Sequence, residues 1–239
     1  MTRRLLTCIL TVFLSAPALF AQKNQHEGYR TIIAAAMQLE DAHFHVYEPP
    51  FIARAIYQDT TEAVNRYPEQ LVSSVLAADN QAWVNYNTLG GQGEEKTDEH
   101  FQKVAAMNKE ECYYELRSKL TFTHEEKQVA VIKFYIHLTD LPKPVSGSIT
   151  LQKVGERWYV SPLPNTSDIY TTMRRFQSDK LLQIMKGESD GSAMMNELIA
   201  TTRSASGSFD MNLLVEAYYD WKRNQRQPEI DYFMDPNAW

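Results

Sequence analysis

The strongest constraint on this chain lies in its middle, where the apolar period falls from about 3.6 residues to 2. From Cys112 to Phe122, the residues Cys112, Tyr114, Leu116, Leu120 and Phe122 alternate with Tyr113, Glu115, Arg117, Lys119 and Thr121. That is the pattern of a strand with one dry and one wet face. His124-Glu125-Glu126 turns the chain, and Val129–Leu138 follows with Ala130, Ile132, Phe134, Ile136 and Leu138 on one side. Val131, Lys133, Tyr135 and His137 fall on the other. Beyond Pro142 and Pro144, Ser148–Val154 reads as a third strand, and Gly155-Glu156 turns into a fourth, Arg157–Val160, carrying Trp158. Connections this short leave no room for crossover helices, so the segment reads as a four-stranded antiparallel meander.

Helical periods flank the meander. Ile32, Ala36, Leu39 and His43 predict a helix stopped by Glu48-Pro49-Pro50, and Phe51–Val64 reads as a weaker second one. Pro68 opens a helix where its missing N–H is harmless. The stretch from Gly90 through Glu99 reads as an exposed loop, with a short helix over Phe101–Met107. On the far side, Ser167 is a plausible N-cap for a stripe of Ile169, Met173, Phe176 and Ile184 that ends at Gly187. Ala193–Thr202 and the stripe Met211, Leu214, Tyr218 and Trp221 predict two more helices, and the tail from Gln225 either packs on the body or adds to a sheet edge. The expected class is α+β: N-terminal helices, the meander, then a C-terminal helical extension. The expected division is a signal peptide at 1–21, helices and sheet at 22–163, and the extension with its tail at 164–239. Whether the last helices cover the sheet or form a separate lobe is left open.

The first residues, Met1-Thr2-Arg3-Arg4, precede an apolar run from Leu5 to Leu14 and small residues ending at Ala21. Positive start, short apolar stretch and small residues are the three parts of a secretion signal. The run is shorter than the roughly 20 residues that span a bilayer. Cleavage after Ala21, or alternatively Ala18, predicts a soluble protein in the periplasm or outside the cell. The ending Ala18-Leu19-Phe20-Ala21-Gln22 resembles signal peptides of Bacteroidota. Removing 1–21 takes Arg3 and Arg4 and no acid, which moves the formal charge from −6 to −8. So acidic a chain is poorly suited to neutralising phosphates, and nucleic acid is not an expected partner. No membrane insertion is expected once the signal is gone. Only Cys112 survives processing, so no internal disulfide forms, and its place on the apolar side of a strand predicts a buried, inert thiol.

Chemical motifs are scarce. His43-Phe44-His45 would share a face on a strand but diverge on the helix expected here, and no His-Glu-x-x-His or Cys-x-x-Cys pattern supports a metal site. No nucleophile elbow is present, and Gly90, Gly91 and Gly93 lack the Gly-Lys-Ser/Thr of a phosphate loop. No cofactor is expected. Glu115, Arg117, Tyr135 and His137 lie on the polar faces of adjacent strands. If covered, they form a ligand-binding or acid/base set; if solvated, they are surface pairs of little energetic weight. Trp83 and Tyr86, among asparagines, form either a platform for sugar or peptide or a clamp at a helix end. Asp59-Thr60-Thr61 resembles the short O-glycosylation acceptor of Bacteroidota.

Helices followed by a meander with a terminal Gly-x-x-Trp-Tyr-Val strand are similar to the nuclear-transport-factor-2-like (cystatin-like) fold. The residues that carry the likeness are Val131–Tyr135 and Ile149–Val160, over a region of roughly 50–163. The loop near 87–100 and the long helical extension depart from it. The resemblance implies a cone-shaped sheet able to enclose a pocket, and families of this fold include enzymes, carriers and interaction modules, so it implies no single activity. The first expectation is a non-catalytic exported envelope module that binds a partner protein or small ligand. The alternatives are an acid/base isomerase, dehydratase or hydrolase, and a carbohydrate-related binding protein.

Overall fold

A five-stranded antiparallel sheet in the order β1-β2-β3-β4-β5 organises the computed structural model, which describes residues 42–139, 141–161 and 167–238. The strands are β1 (His43–Ala53), β2 (Tyr113–His124), β3 (Lys127–His137), β4 (Val145–Val154) and β5 (Arg157–Val160). Between β1 and β2 lie α1 (Pro68–Ala77), α2 (Gln81–Asn87) and α3 (Asp98–Ala106). After the sheet come α4 (Ser167–Arg175), α5 (Ser178–Lys186), α6 (Ala193–Thr201), α7 (Met211–Arg223) and α8 (Gln227–Phe233). The α+β class and the meander of β2–β5 match the sequence reading. The expected signal segment lies outside the described residues, as does most of the helix expected from Ile32. No helix among the described residues is long and apolar enough to cross a membrane.

The fifth strand stands where a helix was expected. His43, His45 and Tyr47 alternate with Phe44 and Val46, an aromatic and β-branched run that suits a pleated surface. It pairs with β2 from His43↔Thr121 to Val46↔Ser118 and again from Phe51↔Leu116 to Ala53↔Tyr114. Pro49 and Pro50, which cannot donate to a ladder, sit in the register shift between these two stretches. Prolines are tolerated there because β1 is an edge strand. The expected helix over Phe51–Val64 is strand to Ala53 and then turns.

A bulge in β2 decides which residues face which layer. Leu116 pairs with Phe134 and Ser118 with Lys133, leaving Arg117 unmatched. One extra residue inverts the alternation. Tyr114 and Leu116 therefore join Ala130, Ile132, Phe134, Leu151 and Trp158 in a core with α1 and Trp83 of α2. Leu120 and Phe122 join Val129 and Val131 on the other face, in a core with Ile169, Met173, Phe176, Leu214 and Trp221. The expectation that Leu116 and Leu120 share one face is thus corrected by Arg117. Lys119, expected on the wet face, reaches α1 instead: its Nζ donates to Glu69 at 2.6 Å, and the Tyr47 hydroxyl donates to the same carboxylate.

The C-terminal helices cover the sheet and form no separate lobe. The serines of β4 seat α4, with Ser146 Oγ donating to the Arg174 carbonyl and Ser148 Oγ to that of Tyr170. The single helix expected from Ser167 to Gly187 is two, broken at Phe176-Gln177. The break exists because Gln177 N donates to the Phe233 carbonyl and Asp235 N to that of Arg175, so the C-terminal segment pairs with the junction. Gly187 ends α5 in the left-handed region, as its position predicts.

Candidate functional site

The face of β3 that meets the C-terminal helices runs from apolar to polar. Val129 and Val131 lie under the helices, Lys133 under the C-terminal segment, and Tyr135 and His137 at the open end. Adjacent strand β2 brings Glu115 opposite Tyr135 and Tyr113 opposite His137. Glu115, Arg117, Tyr135 and His137, singled out from the sequence, thereby meet in one network. Arg117 donates to Glu115 at 2.6 Å, and His137 Nε2 lies 2.8 Å from the other carboxylate oxygen. The Arg117 guanidinium stands 5.1 Å from the Tyr135 ring centroid, in range of a cation–π contact. Their side chains are a fifth to a third exposed: 18% for Glu115, 25% for His137 and 33% for Arg117. The set forms a ledge at the surface, not a pocket.

Tyr113 and Arg54 extend this ledge and were missed in the sequence. Tyr113 stacks on His137 with centroids 4.4 Å apart, and Arg54 caps the Tyr113 ring at 4.9 Å. The alternation assigns Tyr113 to the polar side of β2, but nothing in it says that an aromatic ring is wanted there.

Behind the ledge lies a buried ion pair. Lys133 is fully buried and its ammonium contacts the Asp235 carboxylate, itself buried, while also donating to the Phe176 carbonyl. Tyr135 donates its hydroxyl to the same carboxylate at 2.8 Å, so it joins the ledge to the pair. Burial pulls the Lys133 ammonium below its ordinary value, opposed by Asp235. Burial and then the Asp235 charge push the Tyr135 phenol above its ordinary range, so it donates and does not ionise. Lys133 reads as an ordinary wet-face lysine in the sequence, and nothing in the tail marks Asp235 as its partner.

Trp83 and Tyr86 stand apart from this set, on the opposite face. Trp83 is buried with Nε1–H donating to Ser74 Oγ at 3.0 Å, so it presents no stacking platform. Tyr86 donates to the Ala63 carbonyl, and Arg157 lies 3.5 Å over its ring. Trp83 thus clamps α2 to α1, and Tyr86 clamps α2 to the turn before α1 and to β5. The loop expected over 90–99 is tied back by Gly93 N to Asn85 and Lys96 N to Gln81. His43 and His45 lie on a strand after all, yet no group of three or more His, Cys, Asp or Glu among the described residues is placed to hold a metal. Cys112 is buried beside Thr139. A crease between α4 and α7, lined by Thr172, Arg175 and Tyr218, has no room for a water-sized molecule.

Comparison with known proteins returned no match: no family model, no curated protein and no solved structure resembles the chain significantly.

Proposed function

We propose that this protein is an exported, non-catalytic binding module, and that the ledge of Tyr113, Glu115, Arg117, Tyr135 and His137 docks an acidic segment of a partner protein. The observation that carries this reading is the filling of both sheet faces, beside which the ledge stands as a convergent polar set partly open to solvent. Tyrosine and arginine dominate binding hot spots because they combine large rigid contact area with hydrogen bonding. Arg117 spends one N–H on Glu115, and a guanidinium has five, so a partner carboxylate finds donors at the rim. Internal pairing holds the side chains in place before docking, which lowers the entropy cost of binding. A small ligand is the weaker option, because small-molecule sites enclose most of their ligand. The sheet belongs in our reading to an NTF2-like cone whose interior is occupied by its own side chains.

A second reading, acid/base catalysis, rests on the 2.8 Å Glu115–His137 contact. Catalysis of that kind relies on excluding water, and the ledge is open. The carbohydrate reading loses its residue with the burial of Trp83.

The test is charge reversal. In cells that make the protein, chemical crosslinking should give one discrete heteromeric adduct that is lost with Arg117→Glu and kept with Arg223→Glu, an exposed control. Loss with both variants, or with neither, contradicts the reading.

A further inference from the structure

The sheet register carries the ledge one strand further than its polar residues do. Ile52 of β1 stands directly opposite Glu115 of β2, which stands opposite Tyr135 of β3. Directly paired residues share a face, so these three form one row across three strands. Phe51, paired with Leu116 of the core under α1, falls on the other face. Arg54 lies over the Tyr113 ring and is itself held by the Lys109 and Glu110 carbonyls. Ile52 and Ile56 flank it in the chain and are 42% and 63% exposed. Scattered exposed aliphatic residues are ordinary. Ile52 is set apart by its place in the ledge's own row, on an edge strand that no further strand flanks.

Charge alone is a weak anchor there. The ledge carries two guanidinium groups, Arg54 and Arg117, and one carboxylate, Glu115, so it is a positive spot on a chain of formal charge −6. A solvent-exposed ion pair changes an affinity by about five-fold at most, and Arg117 already donates to Glu115. Covering a half-exposed aliphatic side chain changes it by about ten-fold. We propose that the ledge selects an amphipathic acidic segment, with a carboxylate on Arg117 and an aliphatic side chain on Ile52. The Arg117 head stands over the Tyr135 ring on β3, so the two contacts lie about two strand spacings, or 10 Å, apart. One short segment spans both. The inference rests on the ledge's docking role and adds the apolar half of what its partner carries.

The test titrates the full chain with two N-acetylated peptides, Glu-Glu-Leu-Leu-Glu-Glu and Glu-Glu-Ser-Ser-Glu-Glu, and reads a Kd for each from NMR shifts. We expect the leucine peptide to bind about ten-fold tighter, and Arg117→Glu to weaken both. Ile52→Thr keeps the β-branched shape that suits a strand and should bring the two Kd values within about two-fold of each other. Ile52→Val should keep the preference, and Phe51→Thr, on the opposite face, should leave it unchanged. Equal Kd values that both respond to Arg117→Glu overturn the inference and leave the ledge's docking role standing. A leucine preference that survives Ile52→Thr overturns it as well. No binding of either peptide, or binding indifferent to Arg117→Glu, overturns the docking role and this inference with it.

Discussion

Lys133 on the central strand and Asp235 near the end of the chain form a fully buried ion pair that fastens the C-terminal segment over the sheet. Lys133 lies on β3 and Asp235 just past α8, so the pair closes the helical layer onto the meander. Taking two charges out of water is expensive, and such a pair is sustained only when further hydrogen bonds satisfy it. Here the Phe176 carbonyl, the Tyr135 hydroxyl and the Asn237 N–H do so.

Breaking this pair from one side should be costly. Asp235→Leu leaves a charge buried without a partner, an effect of about 3–5 kcal/mol. Lys133→Met with Asp235→Leu removes both charges and should cost much less than the two single changes summed. Urea denaturation of the four proteins in a double-mutant cycle measures this; additive losses contradict the pairing.

Acid should loosen the other face through Glu69. Burial alone raises a carboxyl, yet hydrogen bonds from Lys119 and Tyr47 outweigh it and hold Glu69 below its ordinary value. A depressed carboxyl stabilises the fold above its unfolded pKa, and that contribution is lost as pH falls through the folded value. Stability should therefore drop below about pH 4, and Glu69→Gln should flatten the decline. Melting temperatures taken from pH 6 to pH 3 on both proteins check the sign.

Gly147 is required by its neighbour across the ladder. A Cβ there would stand 2.7 Å from the Phe134 ring, which is stacked on Tyr114 at 4.5 Å. Gly147→Ala forces that ring off its seat and should cost about 1–3 kcal/mol, the usual penalty of overpacking. Phe134→Leu in the same background should recover part of the loss, read as a shift in the urea midpoint.

Much of the sheet was legible because its strands are local. Four of the five are joined by short connections, so the alternation of each and the pairing of neighbours follow from the same residues, and Glu115, Arg117, Tyr135 and His137 fall together for that reason. The bulge at Arg117 was not legible: a strand with one residue looped out shows an unbroken run of alternating types. β1 was misread because Phe44 to Val46 stands beside residues at helical spacing, and its partner, β2, lies beyond three helices. Asp235 could not be matched to Lys133, since long-range pairs leave no local pattern.

The ledge as the docking surface is most directly tested by photo-crosslinking from single sites on separate faces of the protein in its own cells. The sites are Tyr113 on the ledge, Phe51 on the outer strand, and Tyr219 on α7; the last two side chains are 43% exposed. The account predicts a discrete partner adduct from Tyr113, lost with Arg117→Glu, and none from the other two. An adduct from Phe51 or Tyr219 with nothing from Tyr113 contradicts it.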